Sequence, residues 1–246
     1  MSQKRLDQWE FLWQRSRSGG QRECRMPEVE VDSDTDGGSG SGKGSAAVTA
    51  TMTHETAGIT GTVVSSIFGS LSNDTITVTN IRHLAYYDVC GGDGNDTIVA
   101  NGGFGNLLRG ESGDDRLTGG DGDDYYLGGA GEDRLVLTVG TDNLIGGYND
   151  VYTFVFNVAA DKDSNRLSDF EKSFYIIEFR GFADTGAVGL ADDIDALISS
   201  IIDNSLGNSV VITFLNGTEA AFIGQGTGSV SSIGDLVDDP LAQLIA

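Results

Sequence analysis

The 246-residue chain has two residues each of proline, cysteine and histidine. Cys24 and Cys90 are too few for a disulfide framework, so we expect free thiols. No apolar run reaches the length of a transmembrane helix. Residues 1–20 lack the apolar centre of a signal peptide. The sequence therefore predicts no disulfide scaffold, no membrane span and no ordinary N-terminal signal.

Basic residues are also scarce. Fifteen lysines and arginines stand against 37 aspartates and glutamates, which gives a formal net charge of −22. Residues 46–246 hold 29 of the acidic residues and eight of the basic ones, so most of the excess lies in this part. Such a charge excludes binding through nucleic-acid phosphates. Without a counter-ion, this part of the chain should repel itself.

Catalytic motifs are missing as well. His54-Glu55 begins like the zinc-protease motif H-E-x-x-H, but Gly58 stands where the second histidine belongs. The chain contains no G-x-S-x-G elbow, and Ser205 has no histidine near it in the sequence. We therefore expect that the protein is not an enzyme.

Glycine, in contrast, is abundant, with 36 residues, and many of them belong to a nine-residue repeat. Clear copies begin at residues 91, 119 and 128, and read G-G-D-G-N-D-T-I-V, G-G-D-G-D-D-Y-Y-L and G-G-A-G-E-D-R-L-V. Weaker copies begin at residues 69, 101, 110, 137 and 146. The common form G-G-x-G-x-D-x-U-x, in which U is a large apolar residue, is the calcium-binding pattern of parallel β-rolls. A flexible linker would lack the apolar residue in constant phase with the aspartate.

The repeat predicts a coil in which one turn and one short strand take nine residues, because glycine allows tight turns and the x-U-x tail alternates as a strand does. Two copies then complete one coil. The copies at 91, 110, 128 and 146 should stack on one edge, and those at 101, 119 and 137 on the other. The predicted internal ladder consists of Ile98, Leu108, Leu117, Tyr126, Leu135, Leu144 and Tyr152.

Stacked turns should bind several calcium ions, since calcium prefers roughly six to eight oxygen ligands at about 2.3–2.6 Å. The predicted ligands are the aspartate carboxylates and the oxygens of the first and third positions. They are Asp96, Asp115, Asp124, Asp133, Asp142, Asp150, Gly91, Asp93, Gly110, Ser112, Gly119, Asp121, Gly128 and Ala130. We expect weaker binding on the second edge, where Asn106 is neutral and Leu137-Thr138 replaces two glycines.

The repeats resemble those of the RTX (repeats-in-toxin) family. D-V-Y-T-F-V-F at 150–156 and the segment 165–182 are similar to the closing strands of RTX C-terminal domains. Asp169 lies in this second segment, and its role as a calcium ligand or a turn carboxylate is open. The resemblance covers about residues 91–225.

This resemblance implies a secreted, extracellular calcium-binding protein that leaves the cell through a type I exporter. Such exporters read a C-terminal signal. Residues 229–246 are acidic and end in apolar residues, so they are either this signal or a simple terminal strand or frayed helix. If they are the signal, their removal should stop export and leave folding intact.

We predict an all-β fold, a parallel β-roll (β-solenoid) with an irregular β leader before it and a β cap after it. The cap should contain one short helix at 191–204 and a hairpin with a two-residue turn at Asn216-Gly217. D-S-D-T-D-G at 32–37 begins like an EF-hand loop, but Lys43 replaces its final glutamate, which favours an acidic linker. The expected domains are a disordered segment at 1–45, the leader at 46–90, the roll at 91–155 and the cap at 156–246.

Two functions follow from these features. The chain is a secreted calcium-binding module of a surface or matrix, or it is the detached or truncated targeting part of a secreted RTX enzyme. In the second case a protease, lipase or alginate epimerase domain would be a separate partner. A neighbouring gene that encodes a catalytic domain would favour the second function.

Overall fold

The computed structural model describes residues 49–54, 63–80, 85–101, 105–147, 151–157, 163–170, 175–180, 194–204, 206–237 and 244–245. The chain divides into two units, residues 1–33 and 34–246, and all of the described residues belong to the second. The predictions for the disordered segment and the acidic linker fall outside the described residues.

Within the described residues, nearly all regular structure is β. The strands are β1 Thr49–His54, β2 Val63–Phe68, β3 Thr75–Asn80, β4 Ala85–Asp93, β5 Thr97–Asn101, β6 Leu107–Ser112, β7 Arg116–Thr118, β8 Tyr125–Ala130, β9 Arg134–Val136, β10 Asn143–Ile145, β11 Tyr152–Asn157, β12 Ser164–Leu167, β13 Tyr175–Arg180, β14 Ile198–Asn204, β15 Ser209–Phe214, β16 Glu219–Ile223 and β17 Leu244–Ile245. One short 3₁₀ helix, η1, spans Ile233–Leu236.

The strands alternate between two sheets that form the walls of a coil. One sheet has the order β1-β3-β5-β7-β9-β11-β13-β17, and the other has the order β14-β15-β16-β12-β10-β8-β6-β4-β2. Neighbours along the coil are parallel, as in the pairs β5–β7 and β6–β8. Because each repeat supplies one strand, successive strands fall on opposite walls. The predicted parallel β-solenoid is confirmed.

The leader continues this coil. β1 pairs with β3 and β2 pairs with β4, both in parallel, and β3 continues onto β5. The predicted strands of this region are therefore confirmed, but their arrangement is regular rather than irregular. Threonine, valine and isoleucine favour strands. These strands stack on the roll, although the weak copy at 69–77 is the one repeat signal in the leader that indicates this stacking.

The predicted internal ladder lies in the core. On one wall Ile98, Leu117 and Leu135 stand opposite one another in register, and on the other wall Leu108, Tyr126 and Leu144 do so. All of them are completely buried.

The last rung departs from the predicted phase. Phe154, and not Tyr152, pairs with Leu135, so the apolar position of this rung lies two residues later than the repeat suggests. Tyr152 is still fully buried, but it stands in line with Asp133. The copy at 146 therefore keeps its leading glycines and has an aromatic ring at the aspartate position.

Aromatic rings close the C-terminal end of the coil. Phe156 stacks on Phe179 with ring centroids 5.7 Å apart, and Phe170 meets Phe222 edge-to-face at 5.0 Å. Phe154 lies 6.4 Å from Phe170. Such aromatic pairs add about 0.5–1.5 kcal/mol each beyond their buried area.

The helix predicted at 191–204 is wrong for its second half. Ile198–Asn204 forms β14, which pairs antiparallel with β15 at the edge of the sheet. The run I-S-S-I-I contains three β-branched isoleucines, which favour a strand. Ile194 and Asp195 are helical, and residues 191–193 lie outside the described part.

The predicted hairpin is confirmed, with a longer turn. β15 and β16 are antiparallel. The Phe214 amide donates to the Thr218 carbonyl at 2.8 Å, so three residues form the loop. Gly217 has a φ of 92°, which is the left-handed conformation of a three-residue hairpin. The Asn-Gly signal located the turn and missed its extra residue.

The C-terminal tail packs into the cap. Ile233 and Leu236 are fully buried, and the Val230 amide donates to Asp203 Oδ2 at 2.9 Å. Leu244–Ile245 forms β17, parallel to β13. Of the two structural alternatives for this segment, the structure shows the terminal strand.

Cys90 differs from the expected free thiol. It is fully buried at the C-terminal part of β4 and is disulfide-bonded, so that prediction is wrong for this residue. Cys24 lies outside the described residues.

Candidate calcium sites

Four aspartates on one edge form a hydrogen-bonded column, which we call the first ladder: Asp74, Asp96, Asp115 and Asp133. The Asp74 amide donates to Asp96 Oδ1 at 2.7 Å. The Asp96 amide donates to Asp115 Oδ1 at 2.7 Å, and the Asp115 amide donates to Asp133 Oδ1 at 2.8 Å. The turns of the copies at 69, 91, 110 and 128 therefore stack directly on one another.

The second carboxylate oxygens of this ladder have a different environment. Oδ2 of Asp96 and Oδ2 of Asp115 are buried and accept no hydrogen bond from any residue of the described part. A buried acceptor without a partner costs roughly 1–3 kcal/mol, and more when it is charged. A cation bound beside each of these oxygens would supply the missing partner.

The leading glycine of each copy keeps a space open beside these oxygens. A Cβ added at Gly110 would collide with Asp115 Oδ2 and lie 2.5 Å from the Gly128 carbonyl oxygen. A Cβ added at Gly128 would lie 2.5 Å from Asp133 Oδ2 and 2.6 Å from the Gly146 carbonyl oxygen. Carboxylate and carbonyl oxygens of successive turns thus lie close together beside each leading glycine, and calcium prefers oxygen ligands of this kind.

The same arrangement continues toward the N-terminus. A Cβ at Gly91 would collide with Asp96 Oδ2 and lie 2.9 Å from the Gly110 carbonyl oxygen. At Gly69 it would collide with the Gly91 carbonyl oxygen and with Asp74 Oδ2. The worn copy at 69–77 therefore carries the same geometry as the clear copies.

The first ladder concentrates negative charge in the interior. Burial raises the pKa of Asp115 to about 8, against the hydrogen bond from the Asp96 amide and with further contributions from the charges of Asp133 and Asp96. Burial likewise raises the pKa of Asp96 to about 6. These carboxylates are stable in their ionised form only when a positive charge is near, which is the electrostatic condition for a cation site.

The opposite edge carries a second ladder: Asn106, Asp124, Asp142 and Asn165. The amides of Asn106 and Asp124 donate to the next Oδ1 at 2.6 and 2.9 Å, and the Asp142 amide donates to Asn165 Oδ1 at 3.1 Å. Burial raises the pKa of Asp124 to about 7 and that of Asp142 well above its usual range.

A tyrosine hydroxyl occupies one gap of the second ladder. A Cβ added at Gly119 would collide with Asp124 Oδ2 and with the Tyr126 hydroxyl, where the first ladder has the carbonyl oxygen of the next turn. The hydroxyl accepts from the Gly119 amide at 2.9 Å and donates to the Val136 carbonyl at 3.1 Å. We therefore expect no ion between the copies at 119 and 137.

Replacing Tyr126 by phenylalanine is expected to destabilise the protein by about 1–3 kcal/mol, because the buried Gly119 amide and Val136 carbonyl each lose a partner. The measurement is urea unfolding at a fixed, saturating calcium concentration. Tyr87→Phe is the matched control. The Tyr87 hydroxyl is also buried but has no hydrogen-bond partner among the described residues, so its removal should be neutral or stabilising. Equal losses in both variants would contradict the role given to the Tyr126 hydroxyl.

The predicted ligands at the third position of the copies take part in the stacking. The Ser112 carbonyl accepts from the Gly94 amide, and the Ala130 carbonyl accepts from the Gly113 amide, both at 2.8 Å. Each carbonyl has a second lone pair that remains for a metal ion. Their position between stacked turns is compatible with the predicted role.

Two other predicted ligands differ from the ladder aspartates in their exposure. The side chains of Asp93 and Asp121 are exposed, so any contribution from these residues to an internal site would come from the backbone. Asp150 lies outside the described residues. The strand register places Tyr152, and not Asp150, in line with Asp133.

Asp169 is a turn carboxylate in this structure. Its Oδ1 accepts from the Gly146 amide at 3.0 Å, and its Oδ2 accepts from the Gly147 amide at 2.9 Å. Both oxygens are thus engaged in holding the last glycine turn, which favours the turn role over the calcium role that the sequence left open.

Sequence reasoning missed an outer column, beside the first ladder, formed by the residues that precede the ladder aspartates. The Asn95 amide donates to Asn73 Oδ1 at 2.9 Å, the Asp114 amide to Asn95 Oδ1 at 3.1 Å, and the Glu132 amide to Asp114 Oδ1 at 2.9 Å. The available signal was the polar residue that occupies the fifth position of these copies. This column is exposed and stabilises the turns from outside.

No group of three histidine, cysteine, aspartate or glutamate side chains converges on a metal position in the described part of the chain. A cation there must therefore be held by carboxylates from successive turns together with backbone carbonyls. Such an all-oxygen set suits a hard cation of flexible geometry such as calcium better than zinc, whose sites usually include nitrogen or sulfur ligands.

The fold and the ladders define a parallel β-solenoid with stacked aspartate turns fitted to a hard divalent cation. The family model of the RTX calcium-binding nonapeptide repeat matches the chain in four copies, over residues 91–104 and 101–135. The protein thus carries the calcium-binding repeats of RTX proteins. No curated protein matches the chain. Among the described residues, no helix is both long and apolar enough for a membrane span.

Proposed function

We propose that the protein binds several calcium ions in the turns of its β-roll and folds on binding them outside the cell. The observation that carries this proposal is the first ladder. There, buried Oδ2 atoms without hydrogen bonds converge with carbonyl oxygens of the next turn on spaces that the leading glycines keep open. The proposed function is binding rather than catalysis, because the ladder aspartates are already held by hydrogen bonds within the stack of turns.

Secretion follows from the calcium levels on the two sides of the membrane. Extracellular calcium modules have dissociation constants on the order of 10⁻⁴–10⁻³ M. Cytosolic calcium lies far below that range, so the sites would stay empty inside the cell. Since metal binding and folding are linked, the empty roll would remain unfolded and could pass through a type I exporter. Calcium outside would then fold it and prevent its return.

A calorimetric titration of the full chain, followed in parallel by circular dichroism, tests calcium binding directly. Calcium is expected to bind cooperatively in the millimolar range and to increase the β signal. Magnesium at the same concentration should give no folding transition. It requires near-octahedral ligands at about 2.0–2.1 Å and releases its water reluctantly, whereas the turn spacing is fixed by the sheet. A complete transition in magnesium alone would contradict the proposed site geometry.

A further inference from the structure

The two walls of the coil differ in the charge of their strands. The strands of the wall that contains β7, β9 and β13 carry three arginines and one glutamate: Arg116, Arg134, Arg180 and Glu178. The strands of the other wall carry five acidic residues and two arginines: Asp88, Asp93, Glu111, Asp203, Glu219, Arg109 and Arg166. In a chain with a formal net charge of −22, the outer side of the first wall is therefore a local region of positive charge, which we call the arginine face.

Two of these arginines are direct neighbours on the surface. Leu117 and Leu135 are completely buried in the core, so Arg116 and Arg134, which precede them, project from the outer side of the wall. The two arginines stand opposite each other in the parallel pair β7–β9, at one strand spacing of about 4.8 Å. Both are half-buried. Like charges directly opposite each other destabilise a sheet, so this pair requires a compensating negative charge.

Glu178 is the one acidic residue on the strands of this wall, and it is already paired. Arg134 Nη2 lies 2.5 Å from Glu178 Oε2, and Arg180 Nε lies 2.7 Å from Glu178 Oε1. Each carboxylate oxygen thus has an arginine partner other than Arg116. Within the described part of the chain, no ion pair joins Arg116 to an acidic residue. The arginine face therefore has an excess positive charge at Arg116.

The groups beside the two arginines are neutral hydrogen-bond donors. The register continues from Arg116 to Thr97 on β5 and from Arg134 to Thr153 on β11. Both threonines are half-buried and alternate with core residues, so their hydroxyls lie on the same outer side. A guanidinium group is a planar fork of N–H donors that matches the oxygens of carboxylate, sulfate and phosphate groups. The acidic remainder of the chain repels long polyanions, which favours a small ligand.

We infer that Arg116 and Arg134, flanked by the hydroxyls of Thr97 and Thr153, form a binding site for one small oxyanion. The ligand is a carboxylate, sulfate or phosphate group that accepts hydrogen bonds from both guanidinium groups. One bound anion would neutralise the Arg116 charge and remove its repulsion with Arg134. The site needs the folded roll but none of the calcium ligands, so it is a second binding function on the outside of the coil.

Arg116→Gln tests the site with sulfate as the probe. The full chain is kept at saturating calcium, and NMR follows the Nε–H groups of the arginines while sulfate is added. Sodium chloride at the same ionic strength is the reference for screening. In the wild type, the Arg116 and Arg134 signals should shift and saturate with sulfate but not with chloride. Arg116→Gln should weaken sulfate binding roughly tenfold or more, because it removes a charged hydrogen-bond donor.

Arg166→Gln is the matched control. Arg166 is an exposed arginine on the other wall, where its register neighbours are Asn143 and Ala221. Its replacement removes the same charge from the chain and should leave sulfate binding unchanged. Arg116→Lys keeps the charge but lacks the planar fork, so it should recover only part of the affinity. Circular dichroism at saturating calcium confirms that each variant is folded.

Stability in the absence of sulfate separates a ligand site from a structural role. Arg116→Gln should then be at least as stable as the wild type in urea, because it relieves the repulsion between Arg116 and Arg134. A marked loss of stability would mean that Arg116 supports the fold instead. The absence of a saturable sulfate shift in the wild type, unchanged affinity in Arg116→Gln, or an equal loss in Arg166→Gln would each overturn the oxyanion site.

Discussion

In a calcium chelator at neutral pH, the coil is expected to lose most of its far-ultraviolet β signal, and millimolar calcium is expected to restore it. The repeat region should show the largest change, because the buried aspartates of both ladders lie there. Circular dichroism measures the overall change, and hydrogen exchange of β5 to β10 assigns it to the roll. Protection of these strands that persists in chelator would refute the coupling of folding to calcium.

The raised pKa values explain the direction of this effect. Burial raises the pKa of Asp115 to about 8 and that of Asp124 to about 7, both well above an ordinary aspartate. A carboxyl group whose pKa is raised by folding stabilises the fold while it is protonated, and this contribution is lost as the pH rises through the folded pKa. At neutral pH the unfolded chain ionises these carboxyl groups freely, whereas the calcium-free roll must keep them protonated or hold their charge in its interior, and either state costs stability. Calcium removes this penalty.

Sodium chloride separates the internal sites from the general surface charge. At about 0.15 M salt the screening length is near 8 Å, so salt weakens repulsion between exposed charges but acts much less on buried groups. If the buried ladders cause the unfolding, added sodium chloride should restore little β structure in chelator. Full recovery in salt would mean that overall repulsion, and not the empty calcium sites, unfolds the protein.

The roll could be predicted from the sequence because three signals share one period. Glycines at the turn, an aspartate at its end and an apolar residue two places later define the phase, and Leu117, Tyr126 and Leu135 were placed correctly in the core. Where one signal is lost, the phase becomes uncertain. In the copy at 146 the pattern indicates Tyr152 as the apolar residue, but the strand register gives this role to Phe154.

Features outside the repeat could not be derived in the same way. Ile194, Leu197, Ile198 and Ile201 fit a helical period, but pairing with β15 makes Ile198–Asn204 a strand. Tertiary pairing overrides local pattern in such short segments. Asn165 could not be recognised because its neighbours lack glycine, and only the stacking of β12 on β10 shows that it continues a ladder.

The packing of the tail changes how export must be tested. Ile233 and Leu236 are fully buried, and β17 pairs with β13. Burial of such side chains contributes about 1.5–3 kcal/mol each, so removal of 229–246 would damage the cap. The expectation that this deletion leaves folding intact therefore loses its basis. Substitutions at an exposed position of this segment such as Ser229 leave the buried side chains in place and are better suited to separating export from folding.

The two ladders are expected to differ in the number of ions that they bind. Asp115 lies within the first ladder, with Oδ1 directed to the Asp96 amide of the preceding turn and Oδ2 on the side of the Gly128 carbonyl of the following turn, so we expect it to contribute to sites on both sides of its turn. Asp124 has the corresponding place in the second ladder. Its Oδ2 accepts from the Gly120 amide at 3.0 Å, and the Tyr126 hydroxyl fills the gap beside it.

Asp115→Asn should therefore lower the calcium count by about two ions per chain, and Asp124→Asn by at most about one. Both substitutions keep the Oδ1 acceptor that the amide of the preceding turn requires, and Asp124→Asn also removes the acceptor of the Gly120 amide. Calorimetry of the two variants beside the wild type gives the counts, and circular dichroism at saturating calcium confirms that each is folded. An equal loss in both variants would mean that a calcium ion displaces the Tyr126 hydroxyl. A larger loss in Asp124→Asn would show that the second ladder, and not the first, is the main calcium site.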